Sequence, residues 1–543
     1  MKRWWPAVAI VALAMATSAS SLANGFAYDD VPLILQNAPF HALGSIAHRF
    51  AESYWPVDQG HSLYRPLTTA LFTLEWAVGR GSPLPFHLIN VLLYAAVCLA
   101  MYGLARRLVS PTVALMVGSL FAVDPLHVEV FANSVGLSEL LTALSVIGAT
   151  IWYIDRRRAG DLRGRDVVAL SSCYAVGCLA KEYAIVLPAI FVAAELTIIA
   201  DPRPLLERAR ALRLLMLSLT LVAVVYVAAR IQVTGSLVAE NPAIPLRDAT
   251  YATRWWTMLS LVPEWVRLLV WPAHLAAMYS PPGTPLFEHA NPRSMIGAAL
   301  LVAVAALAIA GRRRLPVASF GIAWIALALL PISNVVVKSG VLLAERTLFL
   351  PSVGAALIMG AVIPVAAAWF PSSRPIRLAA AAVQVLVLGA GVWRSTTRAG
   401  VWRDNPTLFA ASIVDEPLSY AAHFGLSGVM FEHQQYGTAE RELHVALRLY
   451  DRDPRAFLDL GTVYDMAGHC EAATRLAQRA LELQPDFLMA EFMIARCLRK
   501  ARDYAALRSL ALEGVASGYQ RQLFREILFT ADSGIRAAAT GRY

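Results

Sequence analysis

Asp29 and Asp30 are adjacent carboxylates a short way past the first apolar stretch of the chain. A charged side chain at the centre of a bilayer costs about 3 kcal/mol or more, so the pair is expected at the water interface, where it can exchange a proton. Two carboxylates this close also separate in pKa, leaving one to act as a base while the other orients a substrate or holds a divalent ion such as Mg or Mn. Which aspartate takes which part is open. An Asp before Val31-Pro32 equally suits a helix N-cap, a purely structural use. Further ionisable groups stand at the ends of later apolar runs: Tyr64-Arg65, Asp124, His127 and Glu129, Lys181-Glu182, and Glu345-Arg346. Asp-x-x-His-x-Glu lacks the fixed spacing of zinc motifs, so a polar network is preferred there to metal ligands. Lys181-Glu182 and Glu345-Arg346 each read either as a local ion pair or as a phosphate-binding cation beside its carboxylate. His87 and Asn90 share a helical face and suit helix–helix hydrogen bonding, and Glu195 reads as structural.

The elements that position these groups are membrane helices. The 543 residues are 57% hydrophobic and only 16% charged, far more apolar than a soluble chain of this length. The net charge of +9 sits in short basic turns and so reflects positive cytoplasmic loops rather than nucleic-acid binding. Apolar runs follow an N-terminal one (Pro6 to Ala16) at Leu84 to Ala105, Thr112 to Val123, Val135 to Ile154, Val167 to Ala180, Ala184 to Ala200 and Leu214 to Ala229. Later runs are Ser294 to Gly311, Leu315 to Ile332, Leu348 to Phe370 and Ile376 to Trp393, for about eleven spans in all. Lys2-Arg3, Arg106-Arg107, Arg156-Arg157-Arg158, Arg203 to Arg213, Arg312-Arg313-Arg314 and Arg374/Arg377 then share one side, which is the cytoplasmic one. An odd count leaves the C-terminus outside. The first run also resembles a cleavable signal peptide, and retention as a span is the preferred reading. Pro66 to Gly79 is too short to cross and is expected along the surface, while Trp255 to Trp271 reads as interfacial or re-entrant. The five cysteines show no metal or redox spacing, and whether Cys470 and Cys497 meet is a matter of geometry that the sequence lacks.

Beyond Trp393 the composition turns soluble and a 34-residue period emerges. Leu426 recurs as Leu460, Ala439 as Ala473 and Ala446-Leu447 as Ala480-Leu481, with Pro454 and Pro485 near the boundaries; Tyr464 and Ala472 then map onto Leu498 and Ala506. This period predicts tetratricopeptide repeats, two clear and one degenerate, stacked as an α-solenoid. The expected fold is all-α: a polytopic membrane domain over 1–398, its first outer loop at 24–83, and a repeat domain over 399–543.

In their order along the chain, Gly25-Phe26-Ala27-Tyr28-Asp29-Asp30, Tyr64-Arg65-Pro66-Leu67-Thr68, Phe86-His87-Leu88-Ile89-Asn90, Asp124-Pro125-Leu126-His127-Val128-Glu129, Lys181-Glu182, Ala344-Glu345-Arg346-Thr347 and Trp402-Arg403-Asp404-Asn405 resemble the transmembrane and tetratricopeptide repeat (TMTC) type of protein O-mannosyltransferase, within the GT-C class. The resemblance implies a polyprenyl-phosphate-linked sugar donor, work on the non-cytoplasmic face, and a first-loop carboxylate that activates the acceptor hydroxyl. It makes Asp29 or Asp30 the base, Arg346 and Lys181 the clamps on the donor phosphate, and Arg65 a further phosphate candidate. Tyr64, Asp124, His127, Glu129, Glu182 and Glu345 are expected in the pocket. The chemistry asks for the same parts: a hydroxyl is a weak nucleophile that gains from a base, and a departing phosphate needs positive charge. Where the family often carries Ser-Gly-Arg, Ser134 to Glu139 here lacks the arginine, which puts a donor contact there in doubt.

The resulting expectation is an inverting membrane glycosyltransferase acting on a protein or glycan hydroxyl, with the repeats recruiting the acceptor. The Ala/Arg-rich composition suggests a bacterial inner membrane, with the N-terminus cytoplasmic and the repeats periplasmic. Competing classes are a non-enzymatic repeat scaffold for envelope assembly and a lipid-linked glycan ligase or polymerase. A transporter is disfavoured, as no inverted repeat is evident.

Overall fold

Residues 4–56, 63–237, 243–370, 373–518 and 520–540 are described in the computed structural model, so the Lys2-Arg3 pair lies outside the described residues. The chain forms two units, Met1–Tyr279 with Thr284–Asp415, and Ser280–Gly283 with Glu416–Tyr543. The expected boundary after residue 398 falls at the end of a long helix, and the compact first unit continues to Asp415.

The first unit contains α1 (Trp5–Ser18), α2 (Pro66–Gly79), α3 (Leu84–Leu108), α4 (Pro111–Ala122), α5 (Val128–Ala132), α6 (Leu137–Ala159), α7 (Gly164–Ala180), α8 (Leu187–Thr197), α9 (Leu205–Thr234), α10 (Tyr251–Val270), α11 (Pro292–Gly311), α12 (Pro316–Leu329), α13 (Phe349–Ala367), α14 (Arg374–Ala399) and α15 (Asn405–Asp415). Among the described residues, seven helices are long and apolar enough to cross a membrane, built on α1, α3, α6, α9, α11, α13 and α14. Pro111–Ala122 with Pro125–Ala132, bent by 46°, makes an eighth if the pair is one span. The protein is an integral membrane protein, and the expected count of about eleven spans is not reached by helix length and composition. The remaining expected spans do form helices, but α7, α8 and α12 have 17, 11 and 14 residues, short of the roughly 20 that a straight crossing needs. Proline sets several of these limits: Pro188 and Pro316 fall in the first turns of α8 and α12, and Pro125 follows the break after α4.

Small residues let two of these helices touch. A Cβ on Gly321 of α12 would lie 2.6 Å from the Gly354 carbonyl oxygen, and one on Gly354 of α13 would lie 2.4 Å from that of Gly321. The short α2 begins at Pro66 as expected and buries Thr68, Thr69, Phe72 and Glu75. In α10 the apolar face (Met258, Leu261, Val262, Trp265, Leu268) packs on Leu126, Leu275, Leu343 and Leu348, that is, on protein.

The second unit is a stack of helix pairs: α16 (Tyr420–Glu432) with α17 (Tyr436–Leu449), α18 (Pro454–Met466) with α19 (Cys470–Leu483), and α20 (Leu488–Lys500) with α21 (Tyr504–Ser517), followed by α22 (Arg521–Ala539). The first helices of the pairs start at Tyr420, Pro454 and Leu488, reproducing the period of 34, and Ala439, Ala446, Ala473 and Ala480 are fully buried at helix contacts. The third repeat, degenerate in sequence, is a complete helix pair. Cys470 and Cys497 are both free thiols, each within reach of Asp465 Oδ1 at 3.2 and 3.4 Å.

Candidate functional site

The loop after α1 is pinned from several sides before it reaches the acidic pair. Asn24 donates to the carbonyls of Ala132 and Ala399 at 3.3 and 3.0 Å, the Gly25 amide to that of Arg403 at 2.9 Å, and the Tyr28 amide to Asn405 Oδ1 at 2.6 Å. His87 Nε2 meets the Gly25 carbonyl at 3.1 Å. Asn90 Nδ2 donates to the carbonyls of Asn133 and Ser134 at 2.9 and 3.2 Å, so His87 and Asn90 hold loop and turn backbone instead of a neighbouring helix, a correction to the expected helix–helix bonding. Tyr28 has φ +53°, a left-handed conformation that a non-glycine residue adopts at a cost, held here by the Asn405 bond.

The two aspartates then diverge. Asp30 is only 1% exposed, and its Oδ2 and Oδ1 accept the amides of Ser134 and Val135 at 3.0 and 2.9 Å. The capping use therefore applies to Asp30, but at the remote 3-10 turn Ser134–Gly136 rather than the adjoining Val31–Leu35, to which it makes no side-chain cap bond. Burial pushes the Asp30 carboxyl up to about 7 against those two amides. Gly136 closes the same turn: a Cβ there would sit 1.8 Å from the Val130 carbonyl oxygen. Gly136→Ala is expected to prevent this packing and lower the melting temperature in detergent by several degrees, with Gly148→Ala, where a Cβ meets open space, as the unaffected control.

Asp29 instead lines a cavity of about 310 Å³ together with Arg65, Glu139, Lys181, Glu182 and Arg346. Arg346 Nη1 lies 3.2 Å from Asp29 Oδ2 and 3.0 Å from Glu129 Oε1, and its backbone amide donates to Glu129 Oε2 at 2.8 Å. Arg65 makes a two-pronged pair with Glu182 at 2.9 and 2.7 Å and stacks on the Tyr54 ring at 4.7 Å. Lys181 is paired with Glu139 and lies 4.3 Å from the Tyr183 ring centroid. Burial raises the Asp29 carboxyl, with Arg346 the largest opposing charge. Burial also lowers the Lys181 ammonium to about 8 despite Glu139. For Glu182 burial acts upward, and the Arg65 guanidinium outweighs it to hold the carboxyl at about 2.

The expected local pairs are therefore replaced by long-range ones. Lys181 pairs with Glu139 rather than Glu182, and Glu345 with Arg398 at 3.1 Å rather than Arg346. Successive residues at a turn project in different directions, and the buried charges find partners on other elements. Of the expected pocket residues, Tyr64, Asp124, His127, Glu129 and Glu345 do not line the cavity. The Tyr64 hydroxyl donates to the Phe50 carbonyl at 2.8 Å, and Asp124 Oδ1 accepts the Leu126 amide at 2.9 Å. His127 sits between Ser352 Oγ at 2.9 Å and the Tyr94 hydroxyl at 3.2 Å, while Glu345 is fully buried and bonded to Tyr279. Glu129 stands behind the cavity and fixes Arg346. Glu195 is held by Tyr153, Arg157 and Arg208, consistent with a structural part.

Cavity residues that the sequence did not single out are Glu139, Tyr28, Tyr54, Tyr183, Arg230 and Lys338. Lys338 had one available signal, its place in the 333–347 loop expected on the same side as Asp29. Glu139 had another, as the acidic end of the segment noted only for a missing arginine. The donor set does not suit Mg or Mn: both Asp30 oxygens accept backbone amides, Asp29 stands beside the Arg346 guanidinium, and the other cavity carboxylates, Glu139 and Glu182, are taken by Lys181 and Arg65.

This chain, with apolar spans, a charged cavity and a helix-pair solenoid, is similar in sequence to membrane proteins of the TMTC type. Its curated relatives include protein O-mannosyl-transferase TMTC3 of Mus musculus, 25% identical over 525 residues covering 90% of this chain and 56% of that protein. They also include protein O-mannosyl-transferase TMTC4 of Homo sapiens, 25% identical over 476 residues covering 78% of this chain and 63% of that protein. The chain spans less than two thirds of the length of both. No protein-family model matches it. Among solved structures, an Archaeoglobus fulgidus oligosaccharyltransferase tethered with an acceptor peptide aligns with a TM-score of 0.40 and 11% identity, covering 83% of this chain and 59% of that one.

Proposed function

We propose that this chain is a glycosyltransferase that moves a sugar, mannose if it follows its relatives, from a polyprenyl phosphate to a Ser or Thr hydroxyl of a protein. In this reading Asp29 takes the hydroxyl proton while the oxygen bonds to the anomeric carbon from the face opposite the phosphate. The bond from that carbon to the phosphate oxygen breaks, its electron pair leaves with the phosphate, and the configuration inverts. Arg346, Lys181 and Arg65 stabilise the leaving charge. The observation that carries the reading is the convergence of Asp29 with those three cations on one cavity. The reaction belongs on the non-cytoplasmic face, with the N-terminus cytoplasmic, the repeats periplasmic in a bacterial inner membrane, and the solenoid presenting the acceptor.

The test is transfer of labelled sugar from a short polyprenyl phosphate to Ser/Thr peptides by the purified protein in detergent. Failure with every donor, together with full complementation in cells by the Asp29→Asn/Asp30→Asn double variant, would make the chain a repeat scaffold instead. The pH profile adds a second check. Burial raises the Asp29 carboxyl, so kcat/KM is expected to fall on acidification through a pKa above the ordinary value of about 4. An acidic limb at the ordinary value would remove Asp29 from the role of base.

A further inference from the structure

A second cavity, of about 490 Å³, shares no lining residue with the first. It is bounded by α13 and α14, by the end of α10, and by the break after α4. Leu120, Val270, Ala355, Met359 and Val387 give it apolar walls, and α13 and α14 are both helices of membrane-crossing length. Its volume falls in the range of about 300–1,000 Å³ usual for small-ligand sites.

One cation stands in this apolar setting. Arg394 lines the cavity, and among the described residues no carboxylate pairs with it. Its Nη2 donates to the Ala273 carbonyl, while its Nε is buried without a partner. Arg394 is half-buried, and a guanidinium at the mouth of an apolar cavity with no carboxylate beside it attracts an anionic ligand by charge complementarity. Asp124, the acidic group in the lining, does not supply that anion: Oδ1 accepts the Leu126 amide, and Oδ2 lies 4.0 Å from His127 Nε2. Trp271, which also lines the cavity, is 72% exposed, as is usual for tryptophan at headgroup level.

We propose that this cavity binds an anionic glycerophospholipid, one acyl chain along the apolar walls and the phosphate accepting hydrogen bonds from Arg394. The juxtaposition of a guanidinium that no carboxylate engages with an apolar slot walled by two helices of membrane-crossing length points to that ligand class. The inference does not depend on the glycosyltransferase reading.

The full chain, purified in detergent, is examined by native mass spectrometry and thermal melting with and without added phosphatidylglycerol. Wild type is expected to retain a phosphatidylglycerol adduct and to melt higher when that lipid is supplied. Arg394→Gln should weaken the binding by on the order of ten-fold, since a charge-assisted hydrogen bond is lost. Ala390→Trp, at an exposed position on α14 that lines the slot, should abolish the adduct by filling the space. If one variant fails to fold, the other carries the test. Unchanged adduct and melting shift in the folded variants would overturn the proposal, as would a retained adduct with the mass of a polyprenyl phosphate.

Discussion

Asp29→Asn is expected to reduce kcat/KM for sugar transfer by on the order of 10²–10⁴-fold while leaving the melting temperature close to that of wild type. The neighbouring Asp30→Asn should do the reverse. Asp29 lines the cavity with one oxygen on Arg346, so replacing it removes a proton acceptor and disturbs little packing. Asp30 has both oxygens on the amides of Ser134 and Val135, and an asparagine can satisfy only one. Its amide nitrogen would turn a donor toward a donor in a buried position, which costs about 1–3 kcal/mol. Transfer rates on peptide acceptors, set beside melting curves of the two variants, separate the roles. Equal loss of rate without loss of stability in both would assign the pair a shared catalytic function and sink the division made here.

That division was not legible in the sequence. Asp29 and Asp30 are equivalent as letters, and what separates them is the left-handed turn at Tyr28 and the capped turn at Ser134–Gly136, roughly a hundred residues away. The same limit applies to the ion pairs. Lys181-Glu182 and Glu345-Arg346 suggested contacts between neighbours because adjacency is what a sequence displays. In the folded unit the partners come from α6 (Glu139), the short helix α5 (Glu129) and α14 (Arg398), since buried charges need a counter-charge wherever the chain can deliver one.

Periodicity was a better guide. The 34-residue recurrence of small residues placed the helix pairs of the second unit, because Ala439, Ala473 and Ala480 are small where helices must approach. Apolar runs located the helices of the first unit, but fewer of those helices than runs have the length of a straight crossing. A run such as Ala184 to Ala200 is apolar because α8 packs Ile190, Phe191 and Ala194 against other helices, and an 11-residue helix does not reach across hydrocarbon. Hydrophobicity reports removal from water, whether into lipid or into protein, and only helix length distinguishes the two.

Arg346→Lys is the companion test of the phosphate side, and it keeps the charge. Both ion pairs of Arg346 use Nη1, one to Asp29 and one to Glu129, while the backbone amide is held by the second Glu129 oxygen. The planar group is thereby clamped at one corner, and among the described residues neither Nε nor Nη2 is engaged by a carboxylate. A departing phosphate can then be met by two parallel donors, a geometry that an ammonium does not offer. Arg346→Lys is expected to lower kcat/KM by on the order of 10²–10³-fold, as for loss of one preorganised donor to developing charge. Glu129→Gln, which loosens the clamp and leaves the guanidinium in place, should lose less, through kcat more than through KM. The Asp29→Asn/Arg346→Lys pair should fall well short of the product of the single losses, because each removes the partner that the other acts with. Strict multiplicativity in that cycle would mean that the two residues work independently, and the carboxylate–guanidinium unit would no longer account for the site.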